Sequence, residues 1–132
     1  SAGDIQELSV DGRPLYMEVA RLVDSWGSDL IGESGYSALG AVVGAMHSDT
    51  LRVLRRSMPN TLFLLPGFGA QGAGALDVVA AFDDQGMGAV VNSSRGIIFA
   101  YRRSDDERNF AAWAHRAAIA AKESINRALL EN

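Results

Sequence analysis

The chain has 132 residues, 48% apolar and 21% charged, which is enough for one folded domain with its own core. A net charge of −4 and a pI near 5.0 argue against a general binder of nucleic acid or of anionic membranes. The absence of cysteine rules out a disulfide framework and a thiolate zinc site and fits a reducing cytoplasm, and no apolar run is long enough to span a bilayer.

The first predicted helix starts at Pro14, where "PLYMEVARLVDSW" sets Leu15, Val19, Leu22, Val23 and Trp26 on one stripe. The link "GESGYS" follows. "LGAVVGA" (Leu39 to Ala45) then reads as a short strand, apolar on both faces. Ser48 is suited to cap a helix over "DTLRVLRRSM", with Leu51, Leu54 and Met58 on one face. "TLFLL" (Thr61 to Leu65) is the next strand, and "ALDVVAAF" spaces Ala75, Val78, Val79 and Phe82 as a helix. "GAVVN" (Gly88 to Asn92) is the third strand. The last helix carries Phe110, Trp113, Ala114, Ala117, Ala121, Ile125 and Ala128 on one side. Between them "RRSDDERN" (Arg102 to Asn109) reads as a charged surface turn. Strands apolar on both faces, alternating with helices, imply an α/β fold: a parallel sheet covered by helices.

In such folds ligands bind at the C-terminal ends of the strands. That puts "PGFGAQGAG" (Pro66 to Gly74) and "NSSRG" (Asn92 to Gly96) on one rim. Glycines let backbone approach a ligand and turn its N–H groups toward an anion. Ser93 or Ser94 is placed to cap a short helix begun by Arg95, and a helix start beside an arginine suits phosphate. Taken singly, a glycine-rich turn after a strand is usually only a tight turn, and an arginine there is usually surface. The pairing of the two loops on neighbouring strands is what favours a ligand. Phe68, an aromatic among glycines, is expected to pack on something. His47 and His115 are far apart and support no metal site. Asp83-Asp84 and Asp105-Asp106 read as solvated turns, and Glu33 and Tyr36 as structural residues on the opposite rim.

"GYSALGAVVGA", "LFLLPGFGAQGAG", "GMGAVVNSSRGIIFAYRR" and the opening "GDIQELSVDGRPLY" together resemble the orotidine 5′-phosphate decarboxylases, specifically the bacterial type 2 subgroup. The resemblance covers essentially the whole chain and implies part of a (β/α)8 TIM barrel. It implies cytoplasmic decarboxylation of orotidine 5′-monophosphate to uridine 5′-monophosphate, by a homodimer, without metal or organic cofactor. Gln71 would bond the pyrimidine edge and the phosphate. Arg95 would pair with the phosphate, with the N–H groups around Ser94 and Arg95 completing the cradle. Pro66 would line the base pocket and Phe68 flank it. The chain departs from the family at Ala73, where many relatives have glycine, and at Met46, where they have threonine.

The family's chemistry resides in a D-x-K-x-x-D motif and an earlier lysine. This chain has no D-x-K, and its one lysine, Lys122, lies in the last helix, far from the rim by sequence. No catalytic residue is therefore expected within it. A (β/α)8 barrel takes roughly 250 residues. Residues 1–132 read as a single C-terminal half-barrel: βα units six to eight, preceded by the helix of unit five. The expected partners are the nucleotide and the missing N-terminal half. The alternative is a non-catalytic, phosphate-binding or self-assembling half-barrel module, whose edge strand near Leu39 to Ala45 would need a partner.

Overall fold

The computed structural model describes residues 3–44, 48–69, 73–103 and 107–131. A short helix α1 (Gly3–Gln6) leads into a hairpin of β1 (Ser9–Val10) and β2 (Arg13–Pro14). The hairpin turns at Asp11 and Gly12, both with positive φ, as a tight two-residue turn requires. Helix α2 (Leu15–Gly27) follows at once, with Pro14 at φ −59° preset for its start. Glu18 in its first turn bonds Arg21 at 3.1 Å and faces Arg13 at 3.5 Å.

Three βα units then run in order. They are β3 (Ala41–Val42) with α3 (Ser48–Ser57), β4 (Phe63–Leu65) with α4 (Ala75–Val79), and β5 (Ala89–Val91) with α5 (Ser94–Ile98) and α6 (Phe110–Leu130). The strands form a parallel sheet in the order β3-β4-β5, with Val42 opposite Leu64 and Leu64 opposite Val90. The expected parallel sheet with flanking helices is what the chain forms.

The strands are shorter than the apolar runs. The run from Leu39 keeps regular pairing only at Ala41–Val42, and its last residue, Ala45, lies outside the described residues, as does His47. Thr61 stays outside β4 because its N–H closes a turn on the Met58 carbonyl and its own carbonyl is held by Arg55.

Only one face of the sheet is covered, a correction to the two-sided expectation. Phe63 and Leu65 are fully buried among Leu51, Leu54, Met58, Val78 and Ala81 on the helix side. On the other face Val42, Leu64 and Val90 are 72%, 40% and 59% exposed, side by side in the register of the sheet. Helix α2 also differs from its predicted stripe. It packs through Tyr16, Ala20 and Val23, while Val19 and Trp26 remain exposed, Trp26 at 62%. In α3 the predicted Leu51 and Leu54 are buried, as is Met58 just beyond its end, and Arg55 is buried with them.

Candidate functional site

The two predicted ligand loops leave β4 and β5 at the same end of the sheet and are joined there. Gly67 and Gly69 adopt φ of 91° and 73°, turning the chain on either side of Phe68. The Phe68 N–H donates to the Asn92 carbonyl at 3.3 Å, and the Ser93 hydroxyl donates to the Phe68 carbonyl at 2.6 Å. The Gly69 N–H reaches the Ala73 carbonyl at 2.9 Å and closes the base of the glycine loop. The Gly74 N–H donates to the Asp77 carboxylate at 2.7 Å, which fixes the start of α4.

Pro66 is half-buried at the root of its loop. Phe68 is half-buried and packs on the core from the helix-covered side, as its setting among glycines suggests. Gln71 lies outside the described residues. Ser94 and Arg95 are exposed in the first turn of α5, where backbone N–H groups have no intrahelical partner. Arg95 is exposed, and no ion pair to it is found among the described residues. The Asn92 amide bonds the Ser94 hydroxyl at 3.3 Å. One expectation is corrected: the helix begins at Ser94, and Ser93 stands at the cap position without capping. Its hydroxyl serves the neighbouring loop instead.

Lys122 is exposed on α6 and borders a groove shared with Phe68, Val91, Ser93 and Ile97. This groove reaches the ligand loops, so Lys122 is nearer the rim than its sequence position implies. Val91 alternates with the bare Val90, so the groove lies on the helix side of the sheet, away from the bare face. His115 is exposed on α6. Among the described residues no group of His, Cys, Asp or Glu is placed to hold a metal ion, and no helix is long and apolar enough to cross a membrane.

The opposite rim carries a polar cluster around the buried Arg55, which the sequence reading missed. The Arg55 guanidinium donates to the carbonyls of Ala81, Met58, Pro59, Thr61 and Gly88 at 2.8–3.2 Å. It lies 3.7 Å over the Phe63 ring. Burial pushes its pKa down, opposed by Asp83 and Tyr36. The Tyr36 hydroxyl donates to the Asp83 carboxylate, which also accepts the N–H groups of Gln85 and Met87 at 2.9 Å. Asp83 is therefore no simple solvated turn. Burial works against its charge, but the Tyr36 hydroxyl, the Met87 and Gln85 amides and the nearby Arg55 hold its carboxyl below the ordinary range. The same hydrogen bond to Asp83, with burial, raises the Tyr36 phenol.

No family model matches the chain. An orotidine 5′-phosphate decarboxylase from Rhodopirellula baltica is 45% identical over 128 residues, 93% of this chain and 42% of that protein. The chain is homologous to part of the orotidine 5′-phosphate decarboxylases. The Clostridium perfringens enzyme of that name is 40% identical over 131 residues, 98% of this chain and 45% of its own length. A crystal structure of a Toxoplasma gondii protein designated an orotidine-monophosphate decarboxylase superposes with a TM-score of 0.73 at 28% identity. It is matched over 98% of this chain and 48% of that one. The chain thus spans a little under half the length of the relatives it matches, and its sheet corresponds to part of their TIM barrel.

Proposed function

We propose that this chain is the nucleotide-gripping C-terminal part of an orotidine 5′-phosphate decarboxylase. Arg95 and the first-turn N–H groups of α5 at Ser94 and Arg95 take the phosphate. Gln71 spans phosphate and pyrimidine, with Pro66 and Phe68 beside the base. The proton-donating lysine and its carboxylates stand on the N-terminal half of the barrel, so this chain alone is inactive. The assembled enzyme is a homodimer in the cytoplasm and needs no cofactor.

The observation that carries this reading is the joined pair of loops at one end of the sheet, with an exposed arginine on the second. The similarity to decarboxylases supplies the substrate. The bare stripe of Val42, Leu64 and Val90 supports the missing half. In a closed barrel such residues fill the interior in layers. Phosphate grip contributes to rate because remote binding energy is used at the reacting centre.

The test is to join this chain to the segment of the R. baltica enzyme that it does not match and assay decarboxylation of orotidine 5′-monophosphate. Activity in the joined protein and none in this chain alone is the expected result. A well-folded joined protein without activity would defeat the reading. The same stripe also suits a second copy of this chain, so the runner-up is a self-assembling half-barrel. Its signature would be a stable homodimer that persists when the N-terminal half is supplied.

A further inference from the structure

We infer that Ser93 is a positioning residue: its hydroxyl latches the glycine loop after β4 to the loop after β5, so that both meet the nucleotide as one unit. The inference rests on the ligand reading above but stands on separate observations. Ser93 is 8% exposed and its hydroxyl donates to the Phe68 carbonyl at 2.6 Å. Phe68 answers through its N–H, bonded to the Asn92 carbonyl. The loops are thus tied in both directions, through Phe68 on one side of the seam and through Asn92 and Ser93 on the other.

The backbone is arranged around this contact. Positive φ at Gly67 and Gly69 brackets Phe68. A Cβ on Gly96 would lie 2.5 Å from the Ser93 hydroxyl oxygen, closer than any real contact, so glycine there leaves the hydroxyl its place. The Ser93 carbonyl accepts the Ile97 N–H at 3.1 Å, within the helix that carries Arg95. One residue therefore fixes α5 through its backbone and the glycine loop through its side chain. Ser94, by contrast, is exposed, and its hydroxyl is engaged by Asn92 in its own loop. Backbone held at Phe68 before binding loses less freedom there when the ligand arrives.

The test compares the wild-type chain with Ser93→Ala, Gly96→Ala and the double variant. Amide hydrogen exchange is read at Phe68, with Phe63 in the sheet as internal control for folding. Affinity is read by calorimetry with uridine 5′-monophosphate and with uridine. Ser93→Ala should speed exchange at Phe68 about tenfold, leave Phe63 unchanged and weaken the nucleotide about tenfold, or about 1.4 kcal/mol. Gly96→Ala displaces the hydroxyl and should reproduce both effects. The double variant should be no worse than either single, because one contact cannot be lost twice. Unchanged exchange at Phe68 in Ser93→Ala, or single effects that multiply in the double, would overturn the latch. A wild-type chain with no preference for the nucleotide over uridine would overturn the ligand reading instead, and the exchange data would still decide the latch.

Discussion

Replacing Arg55 by alanine should be the most damaging single change on the rim opposite the ligand loops. The substitution leaves five carbonyl oxygens, on Ala81, Met58, Pro59, Thr61 and Gly88, without their shared donor. It also empties the space over the Phe63 ring. A hydrogen bond to a charged group contributes about 1.5–3 kcal/mol, but bonds that share one guanidinium do not add. Leaving a buried carbonyl without its donor costs about 1–3 kcal/mol, and the lost packing over the Phe63 ring adds to it. A loss of about 4 kcal/mol is expected, against a stability of about 5–15 kcal/mol for a domain. For a chain of this size that is about 10–20 °C in Tm. Arg55→Lys should lose roughly half as much, because an ammonium offers three donors in place of five. Urea unfolding followed by circular dichroism measures both. A cost below about 1 kcal/mol for Arg55→Ala would refute the reasoning, since water would then be satisfying those carbonyls equally well.

The Tyr36–Asp83 pair should make stability sensitive at both ends of the pH scale. Asp83 is held below its ordinary value of 3.8, so its contribution is complete above that pH and is lost as the pH falls through its lower folded value. Tyr36 is raised above 10.0, so its contribution is present below that pH and is lost as the pH climbs through its higher folded value. In Asp83→Asn the fall in Tm between about pH 4 and 2 should be shallower than in wild type; parallel curves would contradict this. Val42→Ser and Val90→Ser should shift the Tm of this chain by only a few degrees, because both side chains are more than half exposed. The same pair should block pairing with the N-terminal half, read by co-purification. Gly88→Ala should destabilise by about 1–2 kcal/mol, because φ is +84° there and the added Cβ would stand 3.3 Å from the Tyr36 ring.

The order of strands and helices was legible because apolar runs alternate with helical spacing all along the chain. What the sequence concealed has physical causes. "LFLL" reads as buried on both sides, since an apolar side chain looks the same facing helices or facing an unfilled interior; Leu64 faces the latter. The stripe on α2 shifted because Ala20 and Gly27, small and easily overlooked, make the close contacts, while Trp26 points away. The hairpin before α2 had its signal in Asp11-Gly12. Arg55 had one too: it lies four residues after Leu51 and three before Met58, on the apolar face, where a charge must be satisfied. That the segments after β4 and β5 leave the sheet at one end was legible from the alternation of strands and helices. Ser93 was not separable from Ser94, because only the fold shows which hydroxyl crosses to the other loop.

The measurement that tests the central claim most directly is calorimetric titration of this chain with uridine 5′-monophosphate and with uridine, repeated with Arg95→Ala. The nucleotide should bind more tightly than the nucleoside, and the variant should remove the difference. Equal binding of the two, or a nucleotide preference that survives in Arg95→Ala, would contradict it.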